Sequence, residues 1–353
     1  MSNINKLGGD NRPTISVIMP CCKSEKYIEA AVKDLLAQTY SDWELIAVSN
    51  GNGQDLQLEI LNSFAADHKD KIEVISVELG NVSNSRNIGI DHAHGDWIFF
   101  MDADDRLDAN HLELMMSKTG EDVDVLIGGF AYCDDNNNVV SLCPIECDTE
   151  FLNAKGMVSN YSAMSSVCNK MFRTEFLRRS SVSFDPTLIR GQDICFIASI
   201  MQKTSRIKWL RMCGYRYNVH PINYKIPHYV PEWLRMRRTQ IDFFNKLQRQ
   251  AGIYNVRDGQ IYAHDICVMY LEAVRNLFRV GAPFTYNDAR SEIRRIIFNN
   301  IELADFITQL DYTRNSSKLK LFSLCYRTKS PAIMAFVFLV MEKSNLIFQK
   351  YVR

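Results

Sequence analysis

Three carboxylates stand within four residues at Asp102-Ala103-Asp104-Asp105, directly after the apolar run Trp97-Ile98-Phe99-Phe100-Met101. Read as the end of a strand, the segment sends residues i and i+2 to one side, so Asp102 and Asp104 converge while Asp105 points elsewhere. Two hard oxygen ligands that leave the remaining positions to phosphate oxygens and water suit Mg²⁺ or Mn²⁺ bridging a diphosphate. The ion would neutralise charge building on a departing group. Acidic turns are also common on solvated surfaces, so the motif's meaning depends on what positions it.

The preceding chain alternates short β-branched runs with helix-length amphipathic stretches, the pattern of an α/β sheet with crossover helices. Residues 15–19 form a strand stopped by Pro20, and Ser24 caps a helix running to Gln38. Strands follow at 43–48, 72–77 and 97–101, with helices at 55–66 and 84–92; another strand is expected over 123–132. Two mononucleotide-like units therefore precede the carboxylates, which fall at the carboxyl end of a strand, where open α/β sheets bind ligands. From Pro231 onward the periodicity is helical.

Composition narrows the class. The 353 residues are 46% hydrophobic with formal net charge zero, which argues against a general nucleic-acid binder. The charge is unevenly placed: residues 1–200 carry 16 Lys+Arg against 30 Asp+Glu, and residues 201–353 carry 25 against 11. An acidic front and a basic back suit metal chemistry in one and an anionic partner in the other, or simply two differently solvated surfaces. The ten cysteines have no CxxC or scaffold spacing and read as small apolar residues of a reducing compartment. No apolar h-region follows Met1, so a cytoplasmic protein is expected. The longest apolar run, 331–341, is about half of the ~20 residues that span a bilayer.

Several blocks in order carry a resemblance: the opening strand with Pro20 and the helix from Glu25; Glu44-Leu45-Ile46-Ala47-Val48 with Gly51; Asn81-Val82-Ser83-Asn84-Ser85-Arg86-Asn87-Ile88-Gly89; and Phe100-Met101-Asp102-Ala103-Asp104-Asp105. Asn169-Lys170-Met171-Phe172 and Gly191-Gln192-Asp193 follow. About the first 225 residues resemble a family 2 glycosyltransferase with the GT-A fold. The resemblance implies a Rossmann-like, mostly parallel mixed sheet flanked by helices over residues 13–227, after a disordered 1–12 and before a mainly helical region over 228–353. It implies inverting transfer of a sugar from a nucleoside-diphosphate sugar, by default a UDP-sugar, with Mn²⁺ or Mg²⁺. Asp193 would be the general base, although by residue type alone it reads first as a helix cap. Asp104, Asp102 and His220 would meet the metal, and Pro20, Cys22, Glu25, Asn50, Arg86, Asp102, Ala103 and Lys170 would border the donor. Asp105 would contact sugar or acceptor. Lys170 is equally readable as a strand cap, and His220 as a solvated histidine.

The chain departs from the family where the nucleotide base would bind. Relatives carry an aromatic platform after the first Pro, and this chain has Cys21-Cys22-Lys23; they end the second strand in Asp-Asp-Gly, and this chain has Ser49-Asn50-Gly51. An Asn carries a donor and an acceptor and can still read a uracil edge or that of another base. Gln192 replaces the family's Glu beside the expected base, removing a like charge from Asp193. Altered donor preference, a non-catalytic nucleotide-sugar-binding paralogue and a nucleotidyltransferase stay open, although no Gly-rich phosphate loop supports the last. In the tail, cations flank short apolar stretches, as in Lys318, Lys320, Arg327 and Lys329 before Ala332 to Met341. That pattern fits either peripheral contact with the inner membrane face, near a glycan or lipid-linked glycan acceptor, or a helix packed on the protein.

Overall fold

The computed structural model describes residues 14–51, 56–78, 80–188, 190–219, 228–252, 256–308 and 317–351. Two compact units divide the chain: residues 1–186 with 196–220, and residues 187–195 with 221–353.

The first unit opens with β1 (Ile15–Cys21), α1 (Ile28–Leu36), β2 (Trp43–Asn50), α2 (Leu56–Asp67), β3 (Ile72–Val77), α3 (Val82–His92) and β4 (Trp97–Phe100). It continues through β5 (Arg106–Leu107), α4 (His111–Met116), β6 (Val125–Cys133), β7 (Val139–Cys143), α5 (Ala154–Ser159), α6 (Tyr161–Met164), β8 (Lys170–Arg173) and α7 (Thr174–Ser180). Helix α8 (Gln192–Met201) and β9 (Ile207–Asn218) follow. The strands form one mixed sheet in the order β3-β2-β1-β4-β8-β6-β9-β5, with β7 paired to β6. Strands β3, β2, β1 and β4 run parallel, and β8 joins β4 antiparallel.

The chain winds outward from β1 to β2 and β3, then returns to the other side of β1 for β4. That reversal is the topological switch, and in open α/β sheets ligands bind at the carboxyl ends of the strands on either side of it, here β1 and β4. Strands β1 and β4 are buried on both faces by apolar side chains, including Val17, Ile18, Met19, Ile98, Phe99 and Phe100. Helix α3 lies close over β1 because Gly89 has no side chain: a Cβ there would stand 2.3 Å from Ile18 Cγ2.

Two expected boundaries move. Pro20 does not stop β1, which runs on through Cys21; proline lacks an N–H but is tolerated at a strand end. Ser24 does not cap α1, which begins at Ile28 behind Tyr27. Its hydroxyl donates instead to Gln57 Oε1 of α2, and only its backbone carbonyl takes the turn bonds from Tyr27 and Ile28.

The second unit is helical beyond its first residues: α9 (Trp233–Gln250), α10 (Val256–Asn276), α11 (Tyr286–Ile293), a π-helical turn over Arg294–Phe298, α12 (Ile301–Thr308), α13 (Ser317–Arg327) and α14 (Pro331–Tyr351). Its core joins Ile266, Val274, Ile293 and Leu303 with Phe322 of α13 and Met334 and Phe338 of α14. No helix among the described residues is long and apolar enough to cross a membrane.

Candidate donor site at the strand switch

The acidic residues follow β4 as a tight turn, not as extended strand: the Asp105 N–H donates to the Asp102 carbonyl at 3.2 Å. The i, i+2 geometry expected for Asp102 and Asp104 is therefore replaced by turn geometry, and burial separates the three carboxylates instead. Asp102 and Asp104 are half-buried, whereas Asp105 is 1% exposed.

Asp105 is held from two sides. The Tyr215 hydroxyl donates to its Oδ2, and the Asn218 N–H donates to its Oδ1 at 2.8 Å. Burial first, then the charges of Asp102 and Asp104, raise its pKa well above the usual carboxylate range, against those two hydrogen bonds. A contact with sugar or acceptor is not open to a carboxylate so enclosed; Asp105 anchors the turn to β9. The same crowding of negative charge reaches Tyr217, whose phenol is pushed up to about 12 by burial and by Asp105 and Asp102. Burial and then Asp102 likewise raise the thiol of Cys21 at the end of β1.

Arg86 answers this charge from α3. Its guanidinium is 2% exposed and donates to Asp102 Oδ1 at 2.8 Å. It lies 5.3 Å from the centre of the Phe184 ring and 4.0 Å from the Cys168 sulfur. Neighbouring Asn87 clips the Phe184 backbone in both directions, donating to its carbonyl at 2.8 Å and accepting from its N–H at 2.9 Å. Phe184 stacks on Phe196 at 4.0 Å. The consecutive pair Arg86-Asn87 thus divides its work: one side chain orients Asp102, and the other fixes the ring beneath the guanidinium.

Other expected site residues separate. At the carboxyl ends of β1 and β2, Pro20 and Asn50 are half-buried, and Cys22 and Glu25 are exposed. Asn50 lies against Gly80, where a Cβ would come within 3.2 Å of its Oδ1. Lys23 beside Cys22 has a left-handed φ of 53°, a backbone state that costs a lysine energy and appears where surroundings impose it. Ala103 is buried. Lys170 is fully buried, and its ammonium donates to the carbonyls of Ala163 and Ser166 and to Asn169 Oδ1. Three donors with three protein acceptors leave nothing for a nucleotide, so Lys170 ties the α6–β8 loop together. Asp193 belongs to the second compact unit, in the first turn of α8, behind Gly191 with its left-handed φ of 68°. His220 lies outside the described residues.

Gln57 was hidden in the sequence because it stands on an ordinary amphipathic helix. It is fully buried, and all its capacity is used: Oε1 accepts from Ser24 N–H and Oγ–H, and Nε2 donates to the Cys21 carbonyl and Ser49 Oγ. It fastens the loop after β1 to the end of β2, the two segments that would meet a nucleotide base. A polar pocket of about 190 Å³ opens beside Asp104, lined by Lys26, Tyr27, Arg106, Asp134 and Asn218 among others.

Comparison with known proteins places the fold in a family. Residues 16–180 match the model of Glycosyl transferase family 2. An uncharacterized glycosyltransferase, EpsJ, of Bacillus subtilis (strain 168) is 24% identical over 81% of this chain and 83% of its own length. The Escherichia coli UDP-Glc:alpha-D-GlcNAc-diphosphoundecaprenol beta-1,3-glucosyltransferase WfgD is 28% identical over 35% of this chain and 49% of its own. In three dimensions the crystal structure of S. aureus TarS 1-349 in complex with UDP superposes with a TM-score of 0.58 at 19% identity, covering 94% of this chain and 91% of that one. The fold is therefore GT-A, and this chain is a glycosyltransferase whose residues 16–180 form a glycosyl transferase family 2 domain.

Proposed function

We propose that the enzyme is an inverting glycosyltransferase that moves a sugar from a UDP-sugar to a hydroxyl of a glycan or lipid-linked glycan in cell-surface polysaccharide assembly. The observation that carries this reading is the buried Arg86 paired with Asp102 beside half-buried Asp104, at the strand switch. A nucleoside diphosphate needs oxygen ligands for its counter-ion, and this turn offers Asp104 together with an Asp102 that the buried Arg86 holds in place. The UDP in the TarS complex and the UDP-Glc in the name of the E. coli relative support the donor; the diphosphoundecaprenol in that name supports a lipid-linked acceptor.

When bound, Mn²⁺ or Mg²⁺ would supply positive charge to the departing diphosphate. Asp104 and Asp102 are the residues that would hold it. They fit: both are half-buried oxygen donors, and Asp105 is already taken by Tyr215 and Asn218. A two-carboxylate site leaves positions for phosphate oxygens and water.

In the transfer, the acceptor oxygen forms its bond to the anomeric carbon on the face opposite the diphosphate as the bond to the diphosphate oxygen breaks. The hydroxyl proton passes to a base, which we assign to Asp193. A screen of UDP-, GDP- and CDP-sugars with Mn²⁺ tests donor and cation together, and UDP release is expected. Asp193→Asn should hold UDP with near-normal affinity while transfer falls about 100-fold or more. Binding of none of the three nucleotides, or near-normal turnover in the variant, contradicts the reading.

A peripheral membrane role for the tail is supported by the outer face of α14, where Ile333, Phe336 and Val340 are 46%, 61% and 46% exposed at helical spacing.

A further inference from the structure

The second unit contains a pocket of about 620 Å³ built from its own residues, within the range of small-molecule sites. Tyr229, Trp233, Tyr270 and Phe284 give it aromatic walls, and charged side chains stand among them. The charges are matched. Glu292 pairs with Arg295 at 2.5 Å, and Glu232 with Arg235 at 3.3 Å. Tyr229, Glu232 and Glu292 all line this space, so two carboxylates and a phenol border it together.

Two backbone irregularities converge on the same walls. Glu232 carries a left-handed φ of 54°, an unfavourable state for a non-glycine residue. Arg295 and Ile296 belong to the π-helical turn Arg294–Phe298, a rare form that is frequent at functional sites. A pocket that only failed to pack would not be expected to combine aromatic walls, backbone strain and matched charges.

We propose that this pocket binds a neutral sugar ring of the acceptor glycan, an inference that rests on the glycosyltransferase reading and names where that reading's acceptor is recognised. Flat aromatic faces suit the C–H face of a pyranose. Carboxylates and guanidinium groups make charge-assisted hydrogen bonds to its hydroxyls. Matched ion pairs favour neither an anionic nor a cationic ligand, so a nucleotide or a lipid phosphate is poorly suited. The polar rim equally disfavours a hydrocarbon chain.

The test uses the full chain with neutral probes: maltotetraose, cellotetraose and chitotetraose, followed by saturation-transfer NMR and tryptophan fluorescence. Saturable binding of at least one probe is expected, little changed between 50 and 500 mM NaCl. It should weaken about tenfold in Glu292→Gln, which removes a charged acceptor, and the fluorescence response should disappear in Trp233→Phe. Both variants should melt near the parent temperature and bind UDP with Mn²⁺ as the parent does. No saturable binding of any probe, binding unaffected by either substitution, or binding abolished by salt overturns the proposal. UDP binding reports separately: its loss in the parent would overturn the donor assignment, and its persistence without sugar binding would overturn only this pocket.

Discussion

Asp104 and Asp105 are neighbours in one turn, and their surroundings give them different work. Asp104 is half-exposed beside a polar pocket, whereas Asp105 is enclosed by Tyr215 and Asn218. Asp104→Asn should therefore lower metal-dependent sugar transfer at least about 100-fold with an unchanged melting curve. Asp105→Asn should instead cost about 1–3 kcal/mol in urea unfolding, because it disturbs buried hydrogen bonds. An Asp104 variant that melts early, or an Asp105 variant as stable as the parent, would reverse the assignment. A second residue-scale prediction concerns His111 on α4, packed against Phe99 and Tyr215 behind the turn. Burial lowers its pKa to about 3, so the folded chain keeps it neutral where the unfolded chain binds a proton. Its stability contribution is complete above about pH 6.5 and is lost as pH falls toward 3, by about 1.4 kcal/mol per unit. Urea unfolding at pH 7, 6 and 5 should show that slope, and His111→Phe should flatten it; an identical slope in both proteins would refute the cause. The acidic motif was legible in the sequence from its residue types. Which of its carboxylates is enclosed was not, because Tyr215 and Asn218 arrive from more than a hundred residues away.

At the scale of elements, the site depends on how strand ends are fastened. Gln57 on α2 joins the loop after β1 to the end of β2 through four hydrogen bonds. Gln57→Leu keeps the volume and leaves buried partners unanswered, so a loss of about 2 kcal/mol is expected. The loop carrying Cys22 should also loosen, read as a KM for the donor raised several-fold with kcat less affected. Equal losses in kcat and kcat/KM would place Gln57 in the chemistry instead. The parallel strands were legible because β1, β2 and β4 are short, mostly apolar runs of strand length. The start of α1 was not: Ser24 has the residue type of a cap, yet a buried glutamine on another helix competes for its hydroxyl. Lys170 shows the same limit, since donor contact and a structural role read equally from its place in a family block until three local acceptors are seen around it.

At the scale of the molecule, α14 has two apolar faces with different fates. Met334, Ala335 and Phe338 enter the core of the helical unit, while Ile333, Phe336 and Val340 face outward. Deleting residues 318–353 would remove core as well as surface, so the membrane question needs surface substitutions. Replacing Ile333, Phe336 and Val340 together by Gln should leave the melting temperature near that of the parent and reduce flotation with phosphatidylglycerol vesicles several-fold. Unchanged flotation would assign the stripe another role. The sequence by itself determined the α/β order, the strand that ends in carboxylates, the helical tail and the family, because periodicity and short ordered motifs are local properties of a chain. Only the tertiary structure decided that Arg86 is buried against Asp102, that Asp105 and Lys170 are structural, and that matched charges and aromatic rings enclose a second pocket. Those outcomes depend on which distant side chains share a low-dielectric space, and spacing along the chain does not encode that directly.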